Sequence, residues 1–267
     1  MEPLLIAGLL ALGCFTGFSA GLLGVGGGML TVPFITMLLS ARHFPESLVV
    51  HVAIATSLSI ILFTSMSSLR AHHKHGAVLW PVVRQFAPGI LIGSWMGPWV
   101  GAQLSSTVLA LFFGLFISFS ATQMLLDRKP KPTRELPKLP GMVGVSLVIG
   151  TLSGLVGAGG GFISVPFMTW CNVRIHNAVA TSAAIGFPIA LAATLSNIYF
   201  GLQEPRLPEG TLGFLYLPAL GLVSAGAVLT APVGARVAHS LDVKSLKRVY
   251  ALMLYGLAAY MLYKGLR

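Results

Sequence analysis

Apolar residues run along this chain in ten blocks, five in each half. The first half carries blocks at residues 3–23, 29–41, 48–69, 78–101 and 106–126, and the second at 141–156, 162–172, 177–200, 212–238 and 246–264. Blocks of about 20 residues cross a hydrocarbon core of ~30 Å, whereas a block of about 13 covers only ~20 Å. The blocks at 29–41 and 162–172 are therefore short arms. Each pairs with the block before it as a hairpin, re-entrant or fully crossing. The three blocks after each hairpin are long enough to span.

Glycines fill both hairpin tips. Residues 21–34 read GLLGVGGGMLTVPF and residues 154–167 read GLVGAGGGFISVPF, identical at every glycine and at the closing Val-Pro-Phe. Glycine gains little from helical order and accepts positive φ, so these runs break their helices. Backbone opened inside a membrane is buried in protein or lines a cavity. Matching breaks in two halves of an apolar chain point to the binding site of a secondary transporter.

The duplication extends past the glycines. His51-Val-Ala-Ile-Ala55-Thr56-Ser57 returns 125 residues later as His176-Asn-Ala-Val-Ala180-Thr181-Ser182, and Gly76 returns as Gly201. Gly101-Ala102 matches Gly234-Ala235 at an offset of 133, the offset of the glycine runs. The chain divides into a first repeat, 1–127, a linker, 128–139, and a second repeat, 140–267. The fold class read from this is an all-α polytopic membrane protein of two inverted repeats, each a glycine-broken hairpin plus three transmembrane helices.

Composition fixes the class and charge fixes the orientation. The chain has 267 residues, 55% hydrophobic and 9% charged, with mean hydropathy +0.84. A soluble domain carries roughly 25% charged residues. A net charge of +10 could suggest nucleic acid, but its basic residues gather in loops on one membrane side, and no nucleic-acid partner is expected. With inverted halves, Arg70, Lys74, Arg84, Arg128, Lys129, Lys131, Arg134, Lys138, Arg174, Arg236, Lys244, Lys247 and Arg248 share one side. Only Arg42, Arg206, Lys264 and Arg267 fall on the other, a split of 13 to 4. Parallel halves would give 11 to 6, so the positive-inside rule selects inversion. The expected location is the cell inner membrane, with the linker 128–139 cytoplasmic and both termini outside. Cys14 and Cys171 sit in or beside apolar blocks and make neither a disulfide framework nor a metal site.

Candidate chemistry starts at the glycine tips. Each short arm begins at its glycines, and a helix N-terminus with free N–H groups and a positive dipole end takes an anion without a charged side chain. Gly26, Gly27, Gly28, Gly159, Gly160 and Gly161 are the candidate substrate ligands. Close packing through small residues is the structural alternative. Thr56, Ser57, Thr181 and Ser182 supply hydroxyls near the starts of their helices, either to a substrate or back to a carbonyl. Asn197 is a further polar candidate inside a span. His51 and His176 lead corresponding helices and are candidates for proton coupling or gating. Arg84 either snorkels or draws an anion inward.

The acids decide the sign. Glu2, Glu46, Asp127, Glu135, Glu204, Glu209 and Asp242 are all of them, and none lies inside a span. Intramembrane carboxylates mark cation paths and proton relays, so the expected substrate is anionic or neutral. No nucleotide-binding P-loop, metal cluster or catalytic triad is written in the chain, so neither an enzyme nor a cofactor is expected. The expected partners are a small anionic substrate and the lipid bilayer, and a homo-oligomer is compatible with the sequence. The residues leave open a permease for another small anion or a neutral metabolite, and a non-transporting membrane accessory protein.

The paired GL[LV]G[VA]GGGx[LI][TS]VPF runs, with HxA[IV]ATS after them, resemble the sulfite exporter TauE/SafE family, also called the 4-toluene sulfonate uptake permease family. The resemblance covers nearly the whole chain, in both halves and in order. It implies a carrier of sulfite, sulfonates or related organosulfur anions. The family often has Gly before the Thr-Ser pair, where this chain has Ala55 and Ala180.

Overall fold

The computed structural model describes residues 3–23, 27–126, 134–237 and 243–266. They form ten helices: α1 Pro3–Leu23, α2 Gly28–Ala41, α3 Val49–Lys74, α4 Trp80–Gln103, α5 Ser106–Leu126, α6 Leu139–Val156, α7 Gly161–Trp170, α8 Ile175–Gly201, α9 Leu217–Val237 and α10 Val243–Leu266. Seven of them, all but α2, α4 and α7, are long and apolar enough to cross a membrane. The chain is a polytopic membrane protein. The short arms α2 and α7 have 14 and 10 residues, about 21 and 15 Å of helix.

α3 and α8 form the centre. Their apolar stretches are 83% and 72% buried, against 39–44% for the other five crossing helices. Helix pairing maps onto itself when the halves are exchanged. α1 packs on α9 as α6 packs on α4, α3 packs on α9 as α8 packs on α4, and α3 meets α8 while α5 meets α10. The last two pairs run antiparallel. Asn177, at the start of α8, donates to Ala77 O just past the end of α3, and Thr122 near the end of α5 meets Tyr255 on α10 at 2.6 Å.

Small residues set the closest approaches, as they do where no hydrophobic force separates helix from lipid. On α4, Gly89, Gly93 and Gly97 recur at a spacing of four and lie against the α6 backbone. A Cβ at Gly89 would stand 2.3 Å from Val143 O, and one at Gly93 would stand 2.2 Å from Leu147 O. Gly226 and Gly234 of α9 meet Leu10 O and Phe18 O of α1 at 2.6 and 2.0 Å in the same way. These contacts revise one expected correspondence. Leu10 and Val143 are repeat mates 133 apart, so Gly89 answers to Gly226, and likewise Gly97 to Gly234, at an offset of 137. The Gly101-Ala102 match to Gly234-Ala235 is a coincidence of composition.

The shift comes from an insertion before α9. The apolar block at 212–238 does not begin as a helix. Thr211–Leu212 and Leu215–Tyr216 pair as an antiparallel hairpin, with Gly213 at φ +54 opening its turn, and α9 starts at Leu217. The hairpin wedges against the core. A Cβ on Gly201, at the end of α8, would lie 2.2 Å from Phe214 N, and Phe214 and Tyr216 are buried.

Candidate functional site

The two glycine breaks touch. Gly27 and Gly160 cap α2 and α7 at φ +70 and +75, a left-handed conformation that glycine adopts without steric cost. Leu30 and Thr31 donate to Gly27 O, and Ile163 and Ser164 to Gly160 O, which starts both helical ladders alike. A Cβ on Gly28 would stand 2.1 Å from Gly157 O and 3.1 Å from Ala158 Cα. Only glycine lets α2 begin directly on the backbone of the other half. Gly26 lies outside the described residues.

Ser57 binds this junction. Its hydroxyl donates to Gly157 O at 3.0 Å, from the buried face of α3. Its repeat mate Ser182 instead exchanges a hydrogen bond with Ser164 of α7 at 2.8 Å. Beside Ser182 and Gly159 lies a cavity of about 20 Å³, closed by Ile61, Thr64, Ser65 and Ser68 of α3 and by Gly186 of α8. That volume admits one water-sized group. A larger groove of about 670 Å³ lies between α1 and α2, lined by Leu5, Leu9, Leu12, Phe15 and Phe34 with Arg42 at its edge. None of the described tip glycines lines it.

The other candidate residues stand away from the cavity. Thr56 Oγ1 accepts the Tyr216 N–H at 2.9 Å and Thr181 Oγ1 accepts the Leu79 N–H at 3.0 Å. Each threonine thus satisfies a backbone donor where the chain leads into α9 or α4. Asn197 donates to Ala193 O on its own helix at 2.8 Å, and its backbone carbonyl accepts from Phe214 of the hairpin. His51 is buried. Its Nε2 lies 3.1 Å from Gly101 O and 3.0 Å from Leu104 O, so that nitrogen donates, while Nδ1 faces Ser106 Oγ at 3.3 Å. The ring ties the start of α3 to the α4–α5 turn and lies 5.6 Å from the Phe214 ring. His176 is exposed at the start of α8, and Arg84 is exposed one turn into α4.

Thr64, Ser65 and Ser68 carry no signal of duplication, because their repeat mates are Ile189, Ala190 and Ala193. A hydroxyl triplet at i, i+1 and i+4 on one face of a buried helix is the sign that marks them. Among the described residues, the cavity's lining holds four hydroxyls, the backbone of Gly159 at the approach to α7, and no ionisable side chain. Such a set can donate hydrogen bonds to a small polar ligand but has no base, nucleophile or fixed charge for chemistry. Among the described residues, Glu46 pairs with Lys264 and Glu204 with Arg206 at helix ends and in connections.

Comparison with known proteins gives a family and relatives that are membrane transporter proteins by name. The family model described as Sulfite exporter TauE/SafE matches residues 9–261. A probable membrane transporter protein of Haemophilus influenzae is 35% identical over 96% of this chain and 97% of its own length. The probable membrane transporter protein YunE of Bacillus subtilis is 28% identical over 97% of each chain. A probable membrane transporter protein of Methanocaldococcus jannaschii is 23% identical over 97% of this chain and 96% of its own. No solved structure matches. A family match across the whole helical body, joined to the duplicated glycine breaks that meet at its centre, places this chain in the sulfite exporter TauE/SafE family of membrane transporters.

Proposed function

We propose that the chain is a secondary carrier of small sulfur-containing anions, sulfite or short sulfonates, working by alternating access between inverted halves in the cell inner membrane. The observation that carries this is the junction of the two glycine breaks, Gly28 against Gly157, with Ser57 and Ser182 beside it. Two short helices start there, and their N-termini favour negative charge. The antiparallel α3–α8 and α5–α10 pairs are what an in-plane two-fold relation requires. Lys264 with Glu46 at one end, and Asn177 with Ala77 at the other, group the connections as the basic-residue bias groups them. The family's description supplies the sulfur chemistry.

In this mechanism the hairpins α1–α2 and α6–α7 carry the tips, while α3 and α8 form the surface they move against. Rocking of one half on the other opens the junction to one side at a time. The test is flux of sulfite and methanesulfonate into liposomes holding the purified chain. Saturable flux above that of empty liposomes is expected. Absence of flux for every sulfur anion would favour an accessory role, and equal flux of non-sulfur anions would favour a broader permease.

A further inference from the structure

The junction of the halves is not symmetric. Next to Gly159, α3 presents Thr64, Ser65 and Ser68, and α8 presents Ser182 and Gly186, around the cavity of about 20 Å³. At the related place in the other half, the mates of Thr64, Ser65 and Ser68 are Ile189, Ala190 and Ala193, all fully buried or nearly so. Ile189 fills its space, with Cδ1 standing 2.6 Å from where a Cβ on Gly160 would be. Gly186 is in turn the mate of Ile61. Among the described residues, the hollow side is lined by the hydroxyls of α3, and the other side holds Ile189, Ala190 and Ala193 with the buried Ser153 beside Gly160.

Ser68 gives the hollow side a purpose. It is 6% exposed, and its Oγ has no hydrogen-bond partner, although three neighbours have theirs: Thr64 and Ser65 donate back to Ile61 O and Leu62 O, and Ser182 pairs with Ser164. An unpaired buried hydroxyl costs about 1–3 kcal/mol, and native structures keep few of them. Ser68 is one of the residues lining the cavity, which also reaches Gly159, two residues before a ten-residue helix whose N-terminus carries the positive end of its dipole.

We infer that this cavity is the closed form of a single, asymmetric oxyanion site, and that it selects singly charged anions over doubly charged ones. The inference rests on the transport reading above and specifies its substrate class. Ser68 donates to a substrate oxygen, Ser65 and Ser182 turn their hydroxyls from Leu62 O and Ser164 to do the same, and Gly186 provides the room. Among the described residues, the lining has no Lys, Arg or His. Neutral donors and one half-dipole repay the desolvation of one negative charge, while the Born cost of a second rises steeply without a counter-ion. A short alkyl sulfonate or bisulfite fits that condition and sulfate does not. The site widens when α3 and α8 part, since an oxyanion needs more than one water's space.

Gly186→Ala separates binding from folding. The added methyl meets Gly159 O at 3.5 Å and Ser65 Cβ at 3.6 Å, ordinary contacts, and alanine favours the helix interior. In liposomes holding the full chain, methanesulfonate counterflow is expected to fall about tenfold in this variant, with its melting temperature unchanged or raised. Ser68→Ala is expected to raise the half-saturation concentration by roughly tenfold at an unchanged maximal rate. Sulfate should compete at least about tenfold more weakly than methanesulfonate. Counterflow at parental values in both variants, or equal competition by sulfate, would overturn the site. If the parent moves no sulfur anion, the transport reading falls instead. The site is then judged by labelling Ser68→Cys in a Cys14→Ala, Cys171→Ala background with a small thiol reagent. Protection by methanesulfonate supports it, and labelling at the same rate with and without methanesulfonate overturns it.

Discussion

Ser57 reaches out of its own half of the chain to donate a hydrogen bond to Gly157 O, 100 residues away, at the point where the two glycine breaks meet. The carbonyl it holds belongs to a residue at φ +71, whose own missing side chain leaves room for Val32. Ser57→Ala should therefore act on two properties together. Loss of one buried hydrogen bond is expected to lower stability by about 1 kcal/mol. Transport should fall further than that loss explains, because Gly157 O is then free to shift and the junction loses its register. Thermal unfolding in detergent and flux in liposomes, measured on the same preparation, check both. A variant that unfolds earlier but transports at the parental rate would make Ser57 a packing residue only.

Thr56 and Thr181, candidate substrate hydroxyls by sequence, each hold a backbone N–H, of Tyr216 and of Leu79. Replacement by valine keeps the shape and removes the acceptor, leaving a donor unpaired. The expected cost is about 1–3 kcal/mol in each half. Thr→Ser retains the acceptor and should cost well under half of that. Melting temperatures of the four single variants test the prediction. A substrate role would show the reverse pattern, with flux lost and stability kept.

The helix pairs α4–α6 and α1–α9 depend on bare backbone at chosen glycines. Gly93→Ala would press a methyl to 2.2 Å from Leu147 O, and the neighbouring helix cannot yield without moving its own backbone. A loss of at least roughly 2 kcal/mol is expected. Gly8→Ala and Gly256→Ala meet nothing within 4 Å and should be neutral or slightly stabilising. Unfolding measured for the three variants separates a packing requirement from a general preference for glycine.

How much of this was legible in the sequence depends on whether a residue acts within its own repeat or across to the other. The helices, the short arms and the glycine tips follow from apolar runs and from Gly26–Gly28 and Gly159–Gly161, which are local signals. The role of Thr56 as acceptor for the Tyr216 N–H was hidden, since its partner lies 160 residues away, just past an insertion that breaks the repeat offset. The same insertion displaced the register of α9 against α4, and apolar Leu212 and Leu215 made its strands look like the start of a helix. The cavity was hidden for the opposite reason. Attention to duplicated residues passes over Thr64, Ser65 and Ser68, whose difference from Ile189, Ala190 and Ala193 is what leaves the space.

His51 and His176 are repeat mates with unlike surroundings, and the difference sets a last expectation. His51 is buried among Gly101 O, Leu104 O and Ser106, while His176 is exposed. Ser106 already gives its proton to Ser47 O at 2.7 Å, so a second strand of the α3–α5 connection hangs on the same cluster. His51→Phe keeps an aromatic ring against Phe214 but leaves two buried carbonyls without the imidazole N–H. A loss of roughly 2–3 kcal/mol is expected. His176→Phe, at an exposed position, should cost less than His51→Phe. The useful comparison is His51→Gln, whose amide N–H can reach one of the two carbonyls and should recover part of the loss. Should His51 serve proton coupling instead, His51→Phe would keep its melting temperature and lose only proton-dependent flux, so unfolding and flux measured against an imposed pH gradient distinguish a structural clamp from a coupling group.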